Sequence, residues 1–469
     1  MSDFFADKPT SVLFGKEVKA KYLNDDVLLR SLDEIHTYGP SEFFTDVALK
    51  ILADFDLISK FTHMDSSPTP LYGRKYPNGG NVQVRYGHSK GRKDLKQLVD
   101  LLITSDGGIP FYEKTYSGNV SDREIFQESI IAVQEYFKKY NYNKKIVTVA
   151  DTALYSKKFL LNKKINGDWV TRVPETIDKA KFILSKDHSE VSWTKINDNY
   201  KYCETEMTYA GVKQRWIKVC NRKAKYKELA TLDKKLKKQE KALEKKVQAF
   251  MNRVFDTHEA LKIEFKRLKN AYPLFEIRNN IIGHYKKKRG KKKPVKVGVK
   301  SCIGYNRDNK KIAELKNRKG IFIVATNILD EETTAEELVS VYCDRNRNIE
   351  SCFKLLKDTT YKLRGVFLKR TDRIEAMMAV MALSLFVNNL GQLHLRNSLA
   401  SLKQTLPNQL KKEIANPTLK WAFWLMKKVM RVKTTVFGAQ FTEFKGLTGV
   451  QKIIINCFGP HARSIYGHP

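Results

Sequence analysis

Three acidic residues, Asp65, Asp151 and Glu350, stand where they could do chemistry on a phosphodiester. Asp65 lies in "FTHMDSSPTPLYG" and Asp151 in "VTVADTALYS"; each closes a strand-like run and precedes small hydroxyl residues. Glu350 lies in "YCDRNRNIESCFKLLK", Tyr342–Lys357, a helical pattern that puts Lys354 and Lys357 on its face. Singly, each has an ordinary reading: an aspartate ahead of a helix is a favoured N-cap, and a glutamate four residues before a lysine makes a solvated ion-pair face. Jointly they have another, because the ends of adjacent strands in an α/β sheet converge where ligands bind. Two Mg²⁺ ions about 3.5–4 Å apart require hard, anionic oxygens of this kind. One ion then activates a water or 3′-hydroxyl and the other steadies the leaving oxygen, while nearby cations attract phosphate and offset the repulsion among the acids.

Positioning these acids needs alternating elements, and the periodicities supply them. "NVQVRYG" (81–87) and "GIPFYEKTYSG" (108–118) read as strands, and "SDREIFQESIIAVQEYFKKY" (121–140) as an amphipathic helix capped at Ser121 or Asp122. "KKIVTVAD" (144–151) and "GIFIVAT" (320–326) read as buried strands, with a short helix near "YSKKFLLNKK" and a longer one carrying Glu350. The result is a mixed α/β core carrying an insertion. Within that insertion Leu229, Leu232, Leu236, Leu243, Val247, Phe250 and Val254 share one helix face, for a coiled coil between subunits or a helical hairpin with "HEALKIEFKRLK". "HYKKKRGKKKPVK" (284–296) reads as a mobile basic loop that touches phosphates without reading sequence, or as a solubilising charge run.

Composition points the same way. The chain has 469 residues, 42% hydrophobic, enough for two to four domains with real cores. Its 86 Lys and Arg against 51 Asp and Glu give a formal charge of +35, which repels itself unless an anionic partner relieves it; nucleic acid is the expected partner. Residues 1–56 are acidic, with eleven acids to six bases, whereas residues 201–300 hold thirty bases to ten acids. The longest apolar run, "AMMAVMALSLFV" (376–387), is well short of the ~20 residues that span a bilayer and reads as a buried helix. The N-terminus shows no secretory pattern, so a cytoplasmic protein without a membrane partner is expected. Cys203, Cys220, Cys302, Cys343, Cys352 and Cys457 form no CxxC pair, which argues against a zinc site or a disulfide framework.

Six motifs occur in order: "HMDSSPTPLYG", "YGHSKGRKDLKQLVDLL", "GGIPFYEKTYSGNVSDREIF", "VTVADTALYS", "VTRVPET" and "QRWIKV". With them the chain, from about Phe5 onward, resembles bacterial insertion-sequence transposases of the DDE class, in the superfamily named for insertion sequence four. The resemblance implies an RNase H-like mixed sheet core interrupted by a β-rich insertion with a lysine-rich helical hairpin, plus helical N- and C-terminal segments. The implied organisation is a short N-terminal segment (1–56), a first core part (57–165), an insertion (166–319, helical hairpin 225–270, basic loop 284–298), a second core part (320–395) and a helical C-terminal region (396–469). It further implies Asp65, Asp151 and Glu350 as ligands of two Mg²⁺ ions, for which Mn²⁺ can substitute. The implied reaction is nicking at terminal inverted repeats followed by strand transfer into target DNA by a homodimer, in a nucleoid-associated bacterial protein. Double-stranded DNA would be held by Tyr342, Arg345 or Arg347, Lys354 and Lys357, with Lys286, Lys287, Lys288, Arg289, Lys291, Lys292 and Lys293 from the basic stretch.

Two departures from the family pattern stand out. Four residues rather than three separate Arg345 from Glu350, so either Arg345 leaves the catalytic face or a loop absorbs the extra residue before the helix begins, with Arg347 as the alternative phosphate ligand. The front is also shorter than in family members, which makes 1–56 a candidate truncated end-binding region. A stand-alone RNase H-like nuclease and a catalytically inactive DNA-binding derivative are the alternative functions. Of the aromatic residues, Trp169, Trp193 and Trp216 in the insertion either stack on an unpaired base, with Trp193 the named candidate, or pack a small β-rich core, whereas Trp421 and Trp424 read as core. His63, two residues before Asp65, either orients substrate or makes a structural hydrogen bond. Ser89, Lys90, Arg92 and Lys96 read as a turn between core strands.

Overall fold

The computed structural model describes residues 2–467 apart from 16, 74, 78, 79, 88–92, 187, 189, 190, 288, 359–367 and 438, with the side chains of 346 and 440 set aside. Ser89, Lys90, Arg92 and Lys288 lie outside the described residues; Lys96 opens a strand. The chain forms two compact units, one of Met1–Thr171 with Ser340–Pro469 and one of Arg172–Val339.

The first unit is built on β1 (Phe61–Leu71), β2 (Lys96–Ser105), β3 (Ile109–Ser117), β4 (Val147–Ala150) and β5 (Asp168–Arg172), in the order β3-β2-β1-β4-β5. The first three strands are antiparallel; β4 runs parallel to β1, and β5 parallel to β4. Reaching β4 from β3 takes a crossover, made by the Asp122–Lys139 helix, whose Ile130, Val133 and Phe137 face Thr62, Ile103, Thr148 and Trp169 around a cavity of ≈ 60 Å³. Acids in its first turn and lysines in its last suit the helix dipole. The expected cap is absent: Ser121 makes no side-chain cap bond, and Asp122 instead accepts a hydrogen bond from Ser66 Oγ at 2.7 Å.

Residues 81–87, expected as a strand, form no ladder: Arg85 makes a single bridge with Gln97, while the Gln83 NH donates to Ser117 Oγ and its carbonyl accepts from the NH of Gly118 at the end of β3. The reason is space along β2, which already lies between β1 and β3; β3 stops at Ser117 opposite Leu98, leaving Gln97 to pair with Arg85. The 376–387 run also needs correction. It belongs to a 31-residue helix, Thr371–Ser401, long and apolar enough to cross a membrane, with a window of mean hydropathy 1.5 that is 44% buried. Ile374, Ala382, Leu385 and Phe386 are buried here, and the helix packs on Asp25–Tyr38, Pro40–Asp54 and β3. The C-terminal region is not wholly helical. It holds hairpins of Leu406–Pro407 with Glu413–Ile414 and of Met430–Val436 with Ala439–Lys445, the first strand of the latter rich in β-branched residues.

In the second unit, β6 (Thr194–Lys195), β7 (Tyr200–Tyr209) and β8 (Val212–Asn221) form an antiparallel meander, while β9 (Phe275–Lys286) and β10 (Val295–Arg307) make a separate hairpin. A later strand, β11 (Ile321–Thr326), pairs antiparallel with β8. Between β8 and β9 run the helices Arg222–Asn252 and His258–Ala271. Their apolar faces are covered within the chain: Leu243 and Val247 pack with Phe275, Ile277 and Ile303, and Leu232 and Leu236 with Ile312. An intersubunit coiled coil is therefore not needed to bury this stripe. Val254 falls beyond the helix end and is exposed. The basic stretch is shorter as a loop than expected, because His284–Lys286 and Val295–Gly298 belong to the β9–β10 ladder; residues 287–294 alone connect them. Leu243→Ala is expected to destabilise this unit by about 2–5 kcal/mol through a buried cavity, whereas Val254→Ala leaves the urea midpoint unchanged; equal midpoints would contradict the packing described.

Candidate active site

Pairing register decides where the two aspartates stand. β1 and β4 are matched Phe61↔Val147, Thr62↔Thr148 and His63↔Val149. Asp65 lies two residues past the last matched residue of β1, on the side-chain face of His63, and Asp151 lies two residues past the last matched residue of β4. The expectation that Asp65 closes a strand is corrected: β1 continues to Leu71 against β2, and only its parallel pairing with β4 stops at His63. Asp151 follows β4 directly, and its Oδ1 accepts a hydrogen bond from Ala153 NH at 2.8 Å, so it does act as a turn former as well.

Glu350 arrives on a segment that lies along this face. The helix Ala335–Arg345 passes into a π turn over Asn346–Glu350 and resumes as the α-helix Ser351–Leu356. Here the extra residue between Arg345 and Glu350 is absorbed, by neither of the two expected routes. In α geometry five residues rotate a side chain about 140° past its starting face. The i→i+5 closure of a π turn instead sets residue 350 one turn above residue 345. Arg345 therefore stays on the face: it is 8% exposed, with its guanidinium 3.3 Å from Asp65 Oδ2 and over the Tyr342 ring. Arg347 points away, 85% exposed at its side chain and 3.8 Å from Asp344.

Three alternate residues of β1 fix this segment. His63 Nε2 is 2.8 Å from Asn348 Nδ2, Asp65 meets Arg345, and Ser67 Oγ accepts a hydrogen bond from Lys357 Nζ. From the neighbouring strand Thr104 Oγ1 donates to Asn348 O at 3.4 Å. Gly108, at φ +73°, lets the β2–β3 connection come close: a Cβ there would lie 2.5 Å from Asn348 O. The Gly108 carbonyl accepts from Cys352 Sγ at 3.1 Å and from buried Asn389 Nδ2 at 2.6 Å, tying the π turn to the Thr371–Ser401 helix. Of the two readings of His63, this geometry gives the structural bond. The residues sequence reasoning missed are Ser67, Thr104, Asn348, Cys352 and Asn389, along with Asp100; only a polar residue inside an apolar run, as in "LVDLLI" or "LFVNNLG", could have signalled any of them.

Electrostatics couples the three acids. Burial drives the Asp65 carboxyl up to about 6; Arg345 opposes the rise, and the negative charges of Asp151 and Glu350 add to it. Burial, reinforced by Arg345, holds the His63 imidazole down near 4, so it is neutral at physiological pH. Next along the face, Asp100 is fully enclosed and pushed to about 6 by burial, against hydrogen bonds from Thr69 and Thr115 and the charge of Lys357. Lys357 loses proton affinity through burial, with Asp100 and Asp65 pulling the other way.

The remaining predicted residues are spread elsewhere. Lys354 is exposed on the helix after the π turn, and Lys286, Lys287, Arg289, Lys291, Lys292 and Lys293 are exposed at the end of the β9–β10 hairpin in the second unit. Trp169 packs against Tyr155 and Phe159, and Trp216 is buried with its indole NH on Gln214. Trp193 is half-buried with the ammonium groups of Lys201 and Lys218 over its ring, at 4.6 and 5.2 Å. Trp424 is not core, being 59% exposed and stacked on Trp421. All six cysteines are free thiols.

The carboxylates suit Mg²⁺ in kind, and a cation would relieve the repulsion that raises the Asp65 carboxyl. Yet Arg345 already engages Asp65, and among the described residues no three acidic, His or Cys side chains are gathered as a ready cage. The fit is to an ion completed by water and phosphate oxygens.

Fold and site together define a class: a mixed α/β sheet with one aspartate on β1 and another just past the parallel strand β4, faced by a helical segment that brings Glu350 and a nearly buried arginine. Residues 1–49 match a family described as a domain of unknown function, DUF4277. No curated protein matches the chain. Among solved structures it is similar to the piggyBac transposase in a synaptic complex with hairpin DNA, with a TM-score of 0.34 and 10% identity over 86% of this chain and 63% of that one. It is also similar to the Mos1 transposase in a paired-end complex with the left transposon end, with a TM-score of 0.16 and 8% identity over 27% of this chain and 37% of that one. The chain thus spans less than two thirds of the length of the piggyBac chain it matches.

The π turn makes the two arginines unequal. Arg345→Met, which leaves Asp65 among like charges without its partner, is expected to cost about 3 kcal/mol in unfolding free energy, and Arg347→Met to leave stability unchanged; the reverse order in urea titrations would contradict this assignment.

Proposed function

We propose that this chain is a DNA transposase that nicks and rejoins DNA at the terminal inverted repeats of a mobile element, using divalent cations held by Asp65, Asp151 and Glu350. The observation that carries the reading is geometric: the segment that bears Glu350 docks on β1 through Arg345, 3.3 Å from Asp65, at the point where β1 and the parallel strand that leads to Asp151 part. The ordered motifs and the +35 charge support it. Bound Mg²⁺ would supply a polarised phosphate and an activated water or hydroxyl. The three acids would orient the cations, Lys357 would attract a phosphate oxygen, and Arg345 would shield Asp65 until a cation takes its place. The exposed cations of the β9–β10 hairpin would hold the DNA backbone without reading sequence. Assembly of two copies on two DNA ends belongs to the same proposal.

A second reading is favoured by one contact. Because Arg345 already neutralises Asp65, a catalytically inactive DNA-binding derivative is also consistent with the site.

Purified protein with labelled element ends and Mg²⁺ is expected to nick them, and Asp65→Asn, Asp151→Asn and Glu350→Gln each to lower the rate at least a hundredfold while DNA binding persists. Binding without nicking by the wild-type chain selects the inactive derivative; variants that cut like wild type remove the acids from the mechanism.

In metal-free protein Asp65 takes up a proton as pH drops through about 6, so Mg²⁺ affinity should fall over the same range. The sign for stability is opposite. A carboxyl whose folded value is raised favours the fold when protonated, so metal-free protein loses that contribution as pH rises through about 6, which thermal midpoints across pH 4–8 would reveal. Duplex affinity should fall steeply with salt through released counterions; a flat response would remove the basic hairpin from DNA binding.

A further inference from the structure

The C-terminal part of the first unit holds an aromatic feature the proposed chemistry does not use. Trp421 and Trp424, one turn apart on the Leu419–Met426 helix, stack with ring centroids 4.6 Å apart and planes 9° from parallel. Stacked indoles on a helix surface usually hide from water, but Trp424 is 59% exposed. The pair lines an open cavity of ≈ 680 Å³ together with Asn408, Gln409, Asn416 and Pro417.

This cavity has a firm frame. The Trp421 indole NH donates to Pro407 O at 2.7 Å, and Asn408 Oδ1 accepts from the backbone NH groups of Leu410 and Lys412 at 2.8 and 3.0 Å. Arg396 holds the other side, donating to the carbonyls of Pro417 and Asn416 at 3.0 and 3.3 Å. Lys420 also lines the cavity, and the sequence that builds it, residues 401–433, is basic, with eight Lys or Arg and one acid, Glu413. Lys411, Lys412, Lys427 and Lys428 are exposed, and Lys420 is paired with Asp358 at 3.2 Å.

We propose that this cavity is a binding site for single-stranded DNA, in which an unpaired base stacks on the Trp421–Trp424 pair while the surrounding lysines hold its phosphates. An aromatic platform in a cationic setting is how proteins take unpaired bases, because every base offers a π face. The Gln409 and Asn416 amides are of the type that hydrogen-bonds base edges. Duplex DNA, with its bases already stacked, has no face to offer the indoles. The site does not depend on Asp65, Asp151 and Glu350, and a chain that never nicks DNA would still have it.

The test is fluorescence anisotropy of the full chain with labelled oligodeoxythymidine and with a blunt duplex of equal length, in EDTA so that cleavage plays no part. Trp424→Ala is expected to weaken single-strand binding roughly tenfold and leave duplex binding unchanged. Trp424→Phe should recover most of the loss, and Phe423→Ala, which changes an exposed ring outside the cavity, should change neither. Unchanged single-strand binding in Trp424→Ala overturns the proposal. So does an equal loss for single strand and duplex, or a loss in Phe423→Ala matching that in Trp424→Ala. Sedimentation in which Trp424→Ala turns a dimer into a monomer with single-strand binding intact would assign the face to a second copy and overturn it as well.

Discussion

Asp65 on β1 and Asp151 just past the end of the parallel strand β4 both lie near the place where those strands stop pairing, and the charges of Asp151 and Glu350 both raise the Asp65 carboxyl. Like charges in such a setting either take up protons or recruit a cation. The Arg345 guanidinium, itself nearly buried, is the cation the chain supplies. Much of the local architecture follows from keeping it there. Without the π turn, the residue count between Arg345 and Glu350 would send the two to different sides of the helix. His63, beside the arginine, is kept neutral and serves as a hydrogen-bond partner of Asn348 in that turn.

The frame around this pair is made of short-range, directional bonds rather than apolar contact alone. Gly108 is the meeting point: its positive φ and missing side chain let the β2–β3 connection touch the π turn, and its carbonyl gathers Cys352 and Asn389 from two helices. One face of β1 therefore presents His63, Asp65 and Ser67 to a single helical segment. The opposite face, through Thr62 and its neighbours, rests on the Asp122–Lys139 helix. A strand held on both faces gives the Asp65 carboxylate little freedom.

Positive charge is distributed differently from negative. The acids meet through tertiary structure, whereas the cations are laid out along local elements: the helical pair and hairpin of the second unit, and the C-terminal stretch around Trp421 and Trp424. Under the proposed function, attraction to a polyanion would need proximity rather than exact placement, so lysines on exposed hairpins and helices would suffice.

The same contrast separates what could be read in the sequence from what could not. Apolar periodicity was enough to locate β3, β4, β11 and the crossover helix, because those elements bury one face and burial imposes a period. It erred at residues 81–87, where alternation suggested a strand but β3 occupies all of that edge of β2 except Gln97, and at Trp424, whose exposure depends on which neighbours cover it. The identities of Asp65, Asp151 and Glu350 as residues of interest were legible from type and context. Their meeting was decided by the β1–β4 register, and the choice between Arg345 and Arg347 by a π turn, which carries no distinctive residue pattern. Sequence by itself determined which elements form and how charge is distributed among them, since both follow from local composition and period. Only the tertiary structure decided which acids share a field and which arginine answers it, because strand register and helix phase are set by packing partners hundreds of residues away.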